Sequence, residues 1–138
     1  MDGFEWSPTF EIGVPEIDDD HRHLFDLARE IQAAVEEGEP AKCRALVEGF
    51  IDASQSHFAA EERFLARIRY EEFETHRKYH ASLVTKARKL KQSCDEATRR
   101  GEVAECYLEV VGFLIDDILR GDIKLKSYFN HHGPSRQK

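Results

Sequence analysis

The chain has 138 residues, 41% of them hydrophobic and 34% charged, a balance typical of one globular domain rather than a disordered segment. Its formal net charge of -7 disfavours nucleic acid as a partner, because an acidic surface repels phosphates. No apolar run approaches the roughly 20 residues that span a bilayer, and no basic region precedes an apolar stretch at the N-terminus. Three widely spaced cysteines, Cys43, Cys94 and Cys106, favour reduced thiols in a cytoplasmic protein and leave a covalent link between two of them as the alternative.

Turn residues divide the chain into an arm and four long helical segments. Residues 1–17 contain two prolines and are predicted to form an irregular arm, after which Asp18 is expected to cap the first helix. Apolar residues then recur at steps of three and four, which is the pattern of helices packed side by side. The signals that separate the helices are Gly38 with Pro40, Gly101 and Gly121.

Short connections between long helices favour an all-α fold, an up-down-up-down antiparallel four-helix bundle. We therefore predict a single domain over residues 1–138. It comprises the arm, a bundle over 18–121 and a C-terminal segment over 122–138 that ends in a frayed tail.

Polar side chains interrupt the apolar stripes of all four helices. His57 and Glu61 are four residues apart, as are His76 and His80, so each pair lies on one helix face. His21 is in phase with the first stripe and Asp117 with the fourth, in the series Cys106, Val110, Phe113, Asp117. Burying several such groups without partners would exceed the stability of a small domain, about 5–15 kcal/mol.

A metal would neutralise and coordinate these groups, since imidazole and carboxylate are common ligands. Too many donors converge for one tetrahedral ion, and carboxylates can bridge, so the residues suit a dinuclear site better than a structural zinc. His23 is two positions from His21 and should be exposed, while Glu62 should face outward or pair with a base.

Four segments, in this order and spacing, resemble the bacterial hemerythrins: IGVPEIDDDHRHLF, HFAAEERF, HRKYH and FLIDDILRGD. The resemblance runs from Trp6 to about Asn130 and implies a four-helix bundle with two iron ions, an oxo- or hydroxo-bridged di-iron centre that binds dioxygen. It implies that His21 and His57 hold the iron with an open position for dioxygen, and that His76 and His80 hold the other. The resemblance further implies that Glu61 and Asp122 bridge the irons and that the ligand pocket is lined by Leu24, Phe58, Phe113 and Leu114.

The sequence departs from the family pattern on its fourth helix. The family places a fifth histidine five residues before the bridging aspartate, and that position is Asp117 here. Phe113 stands in place of a usual tryptophan, and Leu125 stands where a tyrosine is common. We expect Asp117 to bind the iron of His76 and His80 directly, to bind it through water, or to leave a position open. An ionised ligand at this place would favour the ferric state and impair reversibility.

The leading functional hypothesis is a dioxygen-binding protein for carriage, storage or delivery, more a binding protein than an enzyme. One alternative is a peroxidase-like or oxygen-activating redox enzyme, which Asp117 as an additional carboxylate ligand would favour. The others are a sensing module whose iron state changes a protein contact and a bundle that no longer binds two metals.

Overall fold

The computed structural model of the chain describes residues 6–132, so the parts of the predicted arm and tail at 1–5 and 133–138 lie outside it. A short 3-10 turn, Pro8–Phe10, precedes the first long helix. The helices are α1 (Pro15–Glu36), α2 (Pro40–Arg67), α3 (Phe73–Arg99), α4 (Val103–Gly112) and α5 (Ile123–His132). Between α4 and α5 the chain stays helical, as a π-helix over Phe113–Leu119 and a 3-10 turn over Arg120–Asp122.

The first four helices pack in a ring, each against its neighbours in sequence and α4 back against α1. Connections of a few residues join them, so consecutive helices run antiparallel, and the predicted four-helix bundle is confirmed. Gly38 and Gly101 adopt left-handed φ angles of 68° and 76° just after α1 and α3, which allows these sharp reversals. Within residues 6–132 no helix is both long and apolar enough to cross a membrane.

Two apolar clusters fill the interior. The larger contains Leu24, Leu83 and Leu119, and the smaller contains Ile17, Leu65 and Leu125. Along each helix the predicted metal ligands fall between residues of the two clusters; His21, for example, lies between Ile17 and Leu24. The polar groups therefore form one buried layer between two hydrophobic layers.

The first helix begins earlier than the sequence predicts. Pro15 occupies its first turn, and Asp18 lies inside the helix rather than at its cap. The Asp18 carboxylate instead accepts hydrogen bonds from the backbone N–H groups of Ile12, at 2.8 Å, and Gly13, at 3.1 Å. It thus ties the arm to the bundle, and the arm packs Ile12 and Val14 into the smaller cluster.

The fourth helical segment differs from the prediction both in phase and in extent. Gly121 does not end it, because the chain continues through the 3-10 turn into α5. A π-helix has i→i+5 hydrogen bonds and so more residues per turn than an α-helix. Periodicity of 3.6 residues per turn consequently fails to give the directions of side chains over Phe113–Leu119.

The prediction of reduced thiols is wrong for two of the three cysteines. Cys94 and Cys106 form a disulfide with a Cα–Cα distance of 4.7 Å, whereas Cys43 is free and buried. Their separation of 12 residues crosses the reversal at Gly101, which places the end of α3 beside the start of α4. Disulfides persist mainly in oxidising compartments, so the cysteines no longer support a cytoplasmic location.

Candidate metal centre

Four helical elements each deliver ligand-type side chains to the buried layer. His21 comes from α1, a His–Glu pair from α2, a His–His pair from α3 and an aspartate from the 3-10 turn. In each of the two pairs the spacing of four residues places both side chains on the core-facing stripe. Relative exposures between 0% and 6% show that the layer is buried for all six residues, His21, His57, Glu61, His76, His80 and Asp122.

These six residues form two overlapping groups. One consists of His21, His57, Glu61 and Asp122, and its ligand atoms lie within 4.8 Å of one another. The second group combines the same two carboxylates with His76 and His80, within the same distance. The two groups share Glu61 and Asp122, which is the arrangement needed for a pair of metal ions bridged by carboxylates.

Each shared carboxylate presents one oxygen to each group. Glu61 Oε1 lies 2.5 Å from His76 Nε2 and 3.1 Å from His80 Nε2, while Oε2 lies 3.1 Å from His57 Nε2. Asp122 Oδ2 lies 2.9 Å from His21 Nε2, and Oδ1 lies 3.1 Å from His76 Nε2. The direction of Asp122, which helical periodicity did not show, is thus set by the 3-10 turn at the end of the π-helix.

Hydrogen bonds among the six residues leave some of their nitrogen and oxygen atoms unsatisfied, and metal ions would satisfy them. His21 Nε2 and His57 Nε2 face each other at 3.0 Å, so at most one proton can lie between them. Glu61 Oε2 is buried, and although it lies 3.1 Å from His57 Nε2 it makes no hydrogen bond of good geometry. A buried polar atom without a partner costs about 1–3 kcal/mol, and a cation would satisfy these lone pairs at once.

The pKa shifts of the cluster residues also favour a bound cation. Burial lowers the pKa of His57, but hydrogen bonds with Asp122 and Asp20 and the negative charge of Glu61 outweigh it and hold this pKa well above 6.5. Burial also lowers the pKa of His76, but the hydrogen bonds that Asp122 and Glu61 accept from His76 outweigh it and raise this pKa to about 9. Although burial raises the pKa of Asp122, its histidine partners hold it well below 3.8. In the absence of metal, protons on His57 and His76 compensate the carboxylates, and metal ions would replace those protons.

Two further acidic residues contact the Nδ1 atoms of predicted ligands, on the side of the ring opposite Nε2. His57 Nδ1 lies 3.1 Å from Asp20 Oδ2, and His80 Nδ1 lies 2.9 Å from Glu62 Oε2. Such contacts fix the orientation and tautomer of each ring, so that Nε2 faces the centre of the cluster, where a metal ion would lie. Sequence reasoning missed Asp20, and it expected Glu62 to face outward or pair with a base. The sequence feature that could have identified both acids is their position beside a predicted ligand, Asp20 beside His21 and Glu62 beside Glu61. A residue next to an inward-facing one lies about 100° around the helix, where its side chain can reach a neighbouring helix.

The structure does not bring Asp117 into either group. Its Oδ1 accepts from Lys86 Nζ at 2.9 Å, and its side chain is 21% exposed. The prediction assumed α-helical phase from Val110, which the π-helix interrupts. His23 is exposed, as the two-residue offset from His21 predicts.

The four predicted pocket residues all lie in the larger apolar cluster, with exposures between 0% and 5%: Leu24, Phe58, Phe113 and Leu114. The Phe58 ring stacks on His80, with centroids 4.6 Å apart, and lies 6.1 Å from the ring of His57. Apolar side chains therefore adjoin the polar layer directly.

Comparison with known proteins agrees with this geometry. The family described as Hemerythrin HHE cation binding domain matches residues 12–122, a range that includes all six residues of the cluster. A bacteriohemerythrin of Clostridium acetobutylicum is 30% identical over 87 residues, 60% of this chain and 67% of that protein. Myohemerythrin of Theromyzon tessulatum is 26% identical over 93 residues, 67% of this chain and 72% of the relative. Myohemerythrin of Riftia pachyptila is 28% identical over 95 residues, with shares of 69% and 74%.

Proposed function

We propose that this protein, which belongs to the hemerythrin family of HHE cation-binding domains, binds dioxygen reversibly for carriage, storage or delivery. The hemerythrin family binds dioxygen at a di-iron centre, and the buried cluster of this chain is able to hold metal ions. The observation that carries the proposal is the shared pair of carboxylates, each with one oxygen toward either pair of histidines.

In this proposal His21 and His57 hold one iron and His76 and His80 the other, with Glu61 and Asp122 between them. When bound, the iron pair would supply the electrons that dioxygen accepts. Asp20 and Glu62 would orient their histidines. We assign Asp117 no direct bond to iron in this proposal, since its carboxylate accepts a hydrogen bond from Lys86.

The surroundings of the cluster support binding rather than turnover. Leu24, Phe58, Phe113 and Leu114 are apolar and offer no group that donates or accepts a proton. Apolar walls admit a small neutral molecule and exclude water, which limits oxidation of the site. We place the dioxygen pocket against His21 and His57 on this side.

The redox-enzyme alternative relied on Asp117 as an additional carboxylate ligand. Because that carboxylate pairs with Lys86 at the surface, the geometry removes this reason to favour an enzyme. The same pairing weakens the argument that Asp117 shifts the centre toward its ferric form.

Metal analysis combined with optical spectroscopy tests the proposal. We expect about two irons per chain and a visible absorption band that forms with dioxygen and disappears under vacuum. His21→Ala should lose both the band and bound iron, whereas His23→Ala should change neither, because His23 is exposed. One tightly bound zinc without iron would refute the metal assignment, and multiple turnovers with peroxide would favour an enzyme.

A further inference from the structure

The cluster has two halves, the His21 half with His21 and His57 and the His76 half with His76 and His80. The two halves have equal sets of protein donors. Two imidazoles serve each half, and Glu61 and Asp122 are common to both. Among the residues that the structure describes, no further histidine, cysteine or carboxylate joins either group. Iron accepts about six ligands, and donor sets of two histidines with carboxylate leave open positions on it. Neither iron would therefore be saturated by the protein.

Side chains near the His76 half are engaged elsewhere. Asp117 bonds to Lys86, and the Tyr79 hydroxyl donates to the backbone carbonyl of Asp117 at 2.5 Å. The Tyr79 ring packs so closely on Gly121 that a Cβ at that position would lie 2.5 Å from Cε2. This packing holds Tyr79 against the helical backbone, and its hydroxyl is committed there rather than to a metal.

Solvent approaches the cluster on this same side. A pocket of about 340 Å³ lies between the start of α3 and the turn before α5, and its walls include Thr75, His76, Tyr79, Gly121 and Lys124. His76 is 6% exposed, the largest value among the six cluster residues. In the His21 half, His57 lines a separate surface pocket of about 430 Å³ together with Asp20 and His23. The larger apolar cluster adjoins the His76 half as well, since its Phe58 ring stacks on His80.

We propose that the metal held by His76 and His80 binds a small inorganic anion that enters from this pocket. This position is additional to the dioxygen position on the His21 half, and the inference depends on the proposed di-iron function. An anion is the appropriate ligand class because two carboxylates leave much of the positive charge of two iron ions uncompensated. The pocket lining includes the acids Glu72 and Asp116 as well as the bases Arg120 and Lys124, so its own charges nearly cancel and the metal supplies the attraction for the anion.

Azide titration of the diferric protein tests this assignment. Iron content is measured first, and azide binding is then followed by the visible charge-transfer band and by calorimetry. We expect two azide ions per iron pair. A stoichiometry of one in protein with two irons and reversible dioxygen binding would overturn this inference alone. Protein without an iron pair would overturn the proposed function as well.

Two variants test the route. Thr75→Phe and Lys124→Phe each place a ring in the lining of the pocket at an exposed position, the first on α3 and the second on α5. Each should slow association of one azide severalfold and leave the other azide unchanged. Thr85→Phe is the matched control, because Thr85 is exposed on α3 and does not line this pocket. Two azide ions with rates unaffected by both pocket variants would overturn the assignment to this side.

Discussion

Glu62 offers a sharp test of how the protein positions its metal ligands. Glu62 Oε2 lies 2.9 Å from Nδ1 of His80, whose side chain is 3% exposed, so the bond fixes a buried ring. Losing a partner of this kind lowers metal affinity by about 10- to 100-fold, or about 1.4–2.8 kcal/mol. Because the Glu62 side chain is 27% exposed, solvent screens the bond, and we expect the lower value, about tenfold, for Glu62→Ala.

Anaerobic competition for ferrous iron between the protein and a coloured chelator measures this affinity. Glu62→Ala should release one of two irons more readily, from the half held by His76 and His80. Glu62→Gln should fall between wild type and alanine, since its amide oxygen still accepts from Nδ1–H. Glu30→Ala, at an exposed position on α1, is the control and should match wild type. A Glu62→Ala protein that holds both irons within twofold of wild type would refute the role of this contact.

Further predictions concern stability and the site. Removing metal with a chelator should lower Tm in scanning calorimetry by many degrees, because the buried donors lose their partner; an unchanged Tm in verified apo protein would contradict a core site. In apo protein the pKa of His76 is about 9 against 6.5 unfolded, since hydrogen bonds with Asp122 and Glu61 outweigh burial. This contribution is complete below pH 6.5 and is lost as pH rises through 9, so the apo Tm should fall over that interval. Metal binding at pH 7 should release protons, and calorimetry in buffers of different ionisation enthalpy that detects none would count against the assignment. Asp117→Ala should retain two irons and change stability by about 0–1 kcal/mol, as for a surface ion pair with Lys86; lost iron would show that Asp117 is a ligand. Replacing Cys94 and Cys106 with serine should cost about 3 kcal/mol, from loop-closure entropy over a separation of 12 residues, and urea unfolding with no loss would refute it.

Much of the metal centre could be predicted because it depends on local spacing. His57 with Glu61 and His76 with His80 are one turn apart within uninterrupted α-helices, so each pair necessarily shares a face. The apolar residues around them show that these faces point into the bundle. The spacing thus determined which side chains of α2 and α3 enter the core.

Asp117 and Asp122 show where periodicity stops being informative. The sequence placed Asp117 on the inner stripe, yet the π-helix turns it toward Lys86 and the following 3-10 turn directs Asp122 inward. The wider turn is formed together with contacts to the neighbouring helix, such as the bond from Tyr79 to the Asp117 carbonyl. A prediction from one helix at 3.6 residues per turn contains none of these contacts.

The sequence by itself determined the four-helix bundle, from the turn residues between its helices. It also determined the burial of His21 and of the polar pairs of α2 and α3, because each follows from the pattern of one helix. Only the tertiary structure decided that Asp20 and Glu62 brace histidines on adjacent helices, and that Cys94 meets Cys106. These contacts depend on the axial position and rotation of one helix relative to the next, which the packing of all the side chains sets together. The pattern of one helix determines which of its faces is buried, but not which atoms of the neighbouring helices that face contacts.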